Sequence, residues 1–319
     1  MDREGLLGSG GLEGSMPGFQ VKRNVNNARG LVHYVPFGAQ GHGPQVMKRE
    51  RIVITGGGSG LGRALALEYA QAGWRVAVLD RNRDAAENVA SEVEAAGGKS
   101  LALACDVTDP DAAGYAATAI GRGWRGLDVL VNNAGIAGSG TVADTPAEDW
   151  RRIMEVNFFG VVTTSRAFLP SMIRAGAGHV VNIASAAGFV SAPGMAAYNA
   201  SKAAVISLSE SMRVELSAHR IGVSVVCPSF FRTNLLDEFS GSEESRQYAL
   251  KLMEKSAISA EDVARLIRRG VRKKEFMLVP HAEARRILLL KRLAPDLFFT
   301  AVRKGAAKFL QAQAKGKRK

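Results

Sequence analysis

Between the apolar run Arg51-Ile-Val-Ile54 and a helical pattern ending near Ala72 lies Thr55-Gly-Gly-Gly-Ser-Gly-Leu-Gly62. A strand that enters a helix through a tight glycine turn is the opening half of a right-handed crossover, and such crossovers build parallel sheets. Gly56, Gly60 and Gly62 permit positive φ and close approach of the backbone. At the helix start the N–H groups have no intrahelical partner, and the positive end of the helix dipole lies beside them. By itself the turn allows two readings: a plain connection, or a cradle for the pyrophosphate of a dinucleotide.

The rest of the chain repeats the same alternation. Strand-like runs at 51–55, 75–80, 99–105, 127–131, 178–184, 222–227 and 275–279 are separated by amphipathic segments. The expected fold class is α/β, a doubly wound parallel sheet of Rossmann type with helices on both faces. Strands one and four then lie side by side, and a ligand crevice opens between their ends. Hydrophobic residues make up 46% of the 319, ample for one core, and no apolar run reaches the roughly 18 to 20 residues a membrane-spanning helix needs. A soluble, cytoplasmic domain is expected over 47–280, with Met47 standing where a compact chain of this kind would begin. Residues 1–46, glycine-rich and without hydrophobic period, are expected to be a disordered extension. Cys105 and Cys227 are the only cysteines, which suits buried thiols in a reducing compartment, and no metal site is expected.

Eighteen positions past Gly62, the second apolar run ends in Asp80. A carboxylate there accepts both adenosine ribose hydroxyls and repels a 2′-phosphate, which favours NAD over NADP. Ser59 brings no compensating positive charge to the turn. Arg81 and Arg83 keep the alternative open: either guanidinium can swing to a 2′-phosphate, or both are solvated residues at a helix start.

Further along, Ser185 follows a strand, Tyr198 starts a helix, and Lys202 lies one turn later on the same face. A phenol of pKa about 10 is a poor base near neutrality, and an ammonium nearby stabilises its phenolate. Ser185 can bond the same reacting oxygen, so a carbonyl becoming an alkoxide meets two donors. Singly, a Tyr–Lys pair is a packing pair and such a Ser is a helix cap. Joined to a dinucleotide turn, they read as proton-transfer machinery.

Over roughly 49–280 the chain resembles the short-chain dehydrogenase/reductase family. The resemblance is carried by TGGGSGLG at 55–62, Asp106 in CDVTD, NNAG at 132–135, Asn157 in VNFFG, Ser185 in NIAS, YNASK at 198–202, and the segment from Pro228 to Thr233. It implies a Rossmann fold, hydride transfer between a nicotinamide and a carbonyl or alcohol carbon, and homo-oligomers, dimers or tetramers. It also implies roles. Tyr198 would be the general acid/base, and Lys202 would lower its pKa and bind the nicotinamide ribose. Ser185 would orient substrate, and Asn157 would hold a water linking Lys202 to solvent, unless it merely pins a helix kink. Thr55, Gly56, Ser59, Gly60, Leu61 and Gly62 would form the cofactor turn, with Asp80 and Arg81 at the ribose. Asp106 and Val107 would flank adenine, a turn role being the alternative for Asp106. Asn133, Ala134 and Gly135 would line the cofactor, and Pro228 and Thr233 would meet its nicotinamide end. Where the family commonly has Pro-Gly, this chain has Pro228-Ser229, and serine does not take positive φ cheaply.

Two stretches speak to substrate and surroundings. Residues 229–258 hold Phe230, Phe231, Leu235, Leu236, Phe239, Tyr248, Leu252 and Met253, and Phe189 and Met195 lie between Ser185 and Tyr198. They point to an apolar alcohol or ketone, or to a lid packing on itself. Net charge is +12, yet 265–319 hold 17 Lys and Arg against 3 acids, a local +14 that leaves −2 for everything before it. In 281–319, Ala284, Ile287, Leu288 and Leu290 make one helical stripe, and Leu297, Phe298, Ala301, Val302, Phe309 and Leu310 continue it after Pro295. A basic amphipathic tail of this kind packs on its own or a partner subunit, or lies on an anionic membrane; nucleic acid is the weakest reading.

Overall fold

The structure is a computed structural model, and it describes residues 51–316, with side chains to 305. The expected disordered extension at 1–46 and the side chains of Phe309 and Leu310 lie outside what is described.

Seven parallel strands run in the order β3-β2-β1-β4-β5-β6-β7. They are β1 Arg51–Thr55, β2 Arg75–Asp80, β3 Lys99–Ala104, β4 Val129–Asn132, β5 Gly178–Ile183, β6 Ile221–Val226 and β7 Met277–Leu278. Every strand of the centre is buried on both faces, as a sheet covered by helices on each side requires. Against one face pack α1 (Gly60–Ala70), α2 (Arg83–Ala95) and α9 (Ala260–Lys273). The other face is covered by α3 (Pro110–Trp124), α5 (Gly160–Ala175) and α7 (Ala196–Glu215). The sequence of α9 shows why it forms. Ser259 and Asp262 bond each other's backbone N–H in a capping box, and Ala260, Val263, Ala264, Ile267 and Val271 recur at helical spacing and are buried.

β1 pairs with both β2 and β4, so the strand order reverses at β1, and the crevice opens between the ends of β1 and β4. Thr55 knots that point. Its Oγ1 accepts from the N–H groups of Asn133 (3.0 Å) and Ala134 (3.1 Å), and Asn133 Nδ2 donates to the Thr55 and Gly56 carbonyls (3.0 and 2.9 Å). Deeper in the sheet, Asn132 donates to Ser165 (3.0 Å) and Asn182 (2.8 Å), and Asn182 to Ser209 (3.0 Å). This fully buried polar chain ties β4 and β5 to α5 and α7, the helix that carries Tyr198.

Most expected strands hold to within a residue, and two shift by two residues at an end. The run from 127 yields a strand only from Val129, because Asp128 is drawn into an ion pair with Arg51 Nε (2.7 Å). The last strand is two residues rather than 275–279, since it sits at the sheet edge between the left-handed Lys274 and Pro280. Beyond it come α10 (Ala282–Leu293) and α11 (Pro295–Gly316).

Candidate active site

A cleft of about 890 Å³ opens at the strand ends and runs from Asp80 past the glycine turn to Ser185, Tyr198 and Lys202. Gly56 and Gly60 have φ of +59° and +50°. A Cβ on Gly62 would stand 2.1 Å from the Gly56 carbonyl oxygen, so only glycine allows the turn to fold back this tightly. The first intrahelical bond of α1 runs from Arg63 N–H to Ser59 O (3.0 Å). Ser59 makes no side-chain cap, and the first turn carries no acid. The N–H groups of Gly60, Leu61 and Gly62 are thus free for an anion, as a dinucleotide's pyrophosphate demands.

At the rim, Asp80 accepts Gly58 N–H (2.9 Å) on Oδ2 and Asn82 N–H (3.0 Å) on Oδ1. These bonds hold the carboxylate in place while leaving each oxygen capacity for a further donor. Arg81 forms an ion pair with Glu238 of the loop following Thr233, so its guanidinium is engaged across the cleft mouth. Arg83 pairs with Glu87 one helical turn on (2.8 Å), the ordinary arrangement at the start of an exposed helix. Asp106 and Val107 both line the cleft, yet Asp106 Oδ1 is taken by the N–H and hydroxyl of Thr108 (2.9 and 2.8 Å). The turn role therefore describes that carboxylate here.

Around the reacting end, Lys202 is 3% exposed and its Nζ donates to Ile183 O (3.0 Å), lying 5.8 Å from the centre of the Tyr198 ring. Burial pulls the ammonium down to about 8. Burial also pushes the Tyr198 phenol up to about 12, against a smaller downward pull from the Ser185 hydroxyl. Lys202 is not among the causes that set the phenol's balance here. The ammonium faces the Ile183 carbonyl, and loss of hydration dominates both groups. Ser185 Oγ accepts Ala187 N–H (3.1 Å) and donates to Pro228 O (3.4 Å).

Asn157 is fully buried in a turn of π-helix, Glu155–Phe159, which bulges where α4 (Ala147–Met154) joins α5. Its amide bonds both backbone groups of Ile136 (2.8 and 3.0 Å) and Ser201 Oγ (3.0 Å). Its side chain ties the helix bulge to Ile136 and to Ser201 of α7.

The stretch over the cleft divides. Leu236 and Met253, with Met195, Phe230, Leu235 and Phe239 partly buried around them, form an apolar cluster that includes Tyr198. Phe231 instead joins the sheet core, Phe189 packs with Val205 and Val225, and Tyr248 is 51% exposed. Phe189 and Tyr248 do not line the cleft, whereas Phe231 lines it from the core side. Ser240 fastens the loop to the body: its backbone bonds Ser139 N–H (2.7 Å) and Ala137 O (3.2 Å), and its hydroxyl bonds Arg152 and Asp149. Neither Arg152, Ser240 nor Glu238 stood out in the sequence, since no local motif marks residues that meet across some ninety positions.

The short chain dehydrogenase family model matches residues 50–244. The chain belongs to the short-chain dehydrogenase/reductase family. Among relatives, bovine dehydrogenase/reductase SDR family member 7B is 36% identical over 81% of each chain. The putative oxidoreductase SadH of Mycobacterium tuberculosis is 34% identical over 81% of this chain and 95% of its own. A short-chain dehydrogenase/reductase from Burkholderia phymatum, solved with NAD, superposes with TM-score 0.74 at 29% identity, covering 78% of this chain and 95% of that one. The protein is thus an oxidoreductase of CH–OH groups using a nicotinamide cofactor. Among the described residues no helix is long and apolar enough to cross a membrane.

Proposed function

We propose that the protein transfers hydride between NAD and a secondary alcohol or ketone of an apolar, steroid-, retinoid- or lipid-like molecule. The observation that carries this reading is one cleft holding an open helix start, a rim carboxylate, a half-buried Ser185 and the buried pair Tyr198 and Lys202. The glycine turn would hold the pyrophosphate, Asp80 the adenosine ribose, and Lys202 the nicotinamide ribose. When bound, the reduced nicotinamide supplies the hydride for the carbonyl carbon. Tyr198, held as the neutral phenol, donates its proton to the carbonyl oxygen while Ser185 bonds the same oxygen. Lys202, charged below about 8, then stabilises the phenolate left behind.

Support for NAD comes from Asp80 at the rim and from Arg81 being engaged by Glu238 rather than free for a 2′-phosphate. Support for an apolar substrate comes from the cluster of Leu236, Met253, Phe230 and Phe239 around Tyr198. Fluorescence titration with NADH and NADPH, followed by turnover of steroids, retinoids and long-chain alcohols against polyols, tests both. Faster turnover of sugar alcohols refutes the substrate class. Preferred binding of NADPH with turnover of 3-oxoacyl thioesters would give the alternative reductase, a type represented among the structural relatives by the Brucella melitensis 3-ketoacyl-acyl-carrier-protein reductase (TM-score 0.64, 28% identity, 72% of this chain and 96% of that one), solved with NADH. NADH binding without any turnover would give a dinucleotide-binding scaffold.

A second reading concerns the tail. Ala284 and Phe298 turn inward and Leu288 packs on the body, so part of the expected stripe is spent there. Leu289, Leu293, Leu297 and Phe299 are exposed instead, flanked by exposed Arg286, Arg292 and Arg303. This face suits peripheral contact with an anionic bilayer. Sedimentation with phosphatidylserine vesicles of the full chain and of a Leu293→Glu/Leu297→Glu variant tests it, and equal binding by both removes it. Assembly as dimers or tetramers rests on the family alone, and light scattering decides it.

A further inference from the structure

The loop after β6 is held from behind by the first residue of the C-terminal extension. His281, 7% exposed, caps the start of α10, and its Nδ1 accepts the N–H of Ser229 (3.1 Å). A backbone N–H only donates, so Nδ1 is bare and the proton sits on Nε2. Nε2 is buried and makes no hydrogen bond among the described residues. A buried donor without a partner is costly, so the ring is committed to its other nitrogen at the expense of this one.

The Ser229 N–H belongs to the same peptide plane as the Pro228 carbonyl. That carbonyl accepts Ala186 N–H (2.8 Å) and the Ser185 hydroxyl (3.4 Å). In a trans peptide C=O and N–H point to opposite sides, so one rigid plane is clamped between Ser185 and His281. Ser229 is not among the described residues with positive φ, so the clamp holds an ordinary backbone conformation. Pro228, Ser229, Phe231 and Thr233 all line the cleft, and the Phe231 ring lies 6.3 Å from the imidazole.

We propose that His281 is a positioning residue for the reacting end of the cleft, fixing the Pro228–Ser229 peptide so that Ser185 and the nicotinamide-flanking loop keep their places. The inference rests on reading that end as the nicotinamide site. Burial keeps the imidazole below its ordinary pKa and hence neutral, against smaller upward pulls from the Phe230 backbone and Glu283. The Phe230 backbone favours the charged form without meeting the geometry of a hydrogen bond.

The geometry of the ring supplies the test. Asparagine places an amide oxygen where Nδ1 stands, glutamine reaches the Nε2 position, and leucine keeps bulk without an acceptor. The full-length chain and its His281→Asn, His281→Gln and His281→Leu variants are titrated with NADH and with ADP-ribose, which lacks the nicotinamide. Turnover is measured alongside. The expected result is a loss of NADH affinity of tenfold or more in the Gln and Leu variants, unchanged ADP-ribose affinity, and values within about threefold of wild type for Asn. A fall in kcat should accompany the loss, because Ser185 is displaced with the peptide. Gln and Leu variants that bind NADH as wild type does overturn the proposal, as does equal weakening of NADH and ADP-ribose. If the Leu variant does not fold, the Asn–Gln contrast decides. Failure of the wild-type chain to bind NADH would instead reject the cofactor reading itself.

Discussion

Removing the charge of Lys202 should make the ligand-free protein more stable while destroying its activity. The ammonium is 3% exposed, and its one bond is to the Ile183 carbonyl. Holding it there draws it from its ordinary 10.5 to about 8. At about 1.4 kcal/mol for each tenfold change, the charged side chain costs about 3 kcal/mol at pH 7. Lys202→Met keeps the length and apolar stem of the side chain. It strands the Ile183 carbonyl, at a cost of about 1 kcal/mol, so the net gain is about 2 kcal/mol. In a chain this size that raises Tm by about 3 to 4 °C.

The sign of the pH dependence makes the test sharp. Between about 8 and 10.5 the unfolded chain still holds a proton that the folded one has released, so wild-type stability gains from this group as pH rises, and below about 8 the cost is fully present. Tyr198, near 12, and Cys227, near 12, stay protonated in the folded protein up to pH 10 and contribute alike to both chains. Thermal and urea unfolding of wild type and variant at pH 7 and pH 10 isolates the effect. The variant's advantage should be present at pH 7 and nearly gone at pH 10. A variant less stable at pH 7, or an advantage undiminished at pH 10, would refute the reasoning.

Other expectations follow from the same geometry. Tyr198→Phe should bind NADH with unchanged affinity and lose about 10²- to 10⁴-fold in kcat; substantial turnover would reject the phenol as proton donor. Asp80→Ala should narrow the ratio of NADPH to NADH dissociation constants in direct titration, and an unchanged ratio would remove Asp80 from cofactor choice. Glu238→Gln breaks the ion pair over the cleft mouth. Because both partners are partly exposed, stopped-flow release of NADH should quicken only about two- to fivefold, and less in high salt. Gly62→Ala, whose Cβ would meet the Gly56 carbonyl, should abolish NADH binding measured by fluorescence.

What could be read in the sequence is what is encoded locally. Thr55 to Gly62 states its own geometry because the glycines, the strand and the helix are contiguous, and Tyr198 and Lys202 share a helix face through their spacing alone. The central strands were legible because both faces are buried, which writes them as largely apolar runs. The apolar residues of the cleft cover were less legible. Hydropathy says that Phe189, Phe231 and Phe239 seek burial but not against what, and only the third lies in the cluster around Tyr198. His281 was invisible for a further reason. A lone histidine after a last strand has no pattern, and its meaning comes from one peptide plane 52 residues earlier. The state of the Tyr198 phenol lies at the same level: spacing places an ammonium near it, but the pKa depends on where that ammonium points and how much water remains. Motifs therefore identify which groups react, whereas burial, which no motif records, sets the electrostatic state in which they wait.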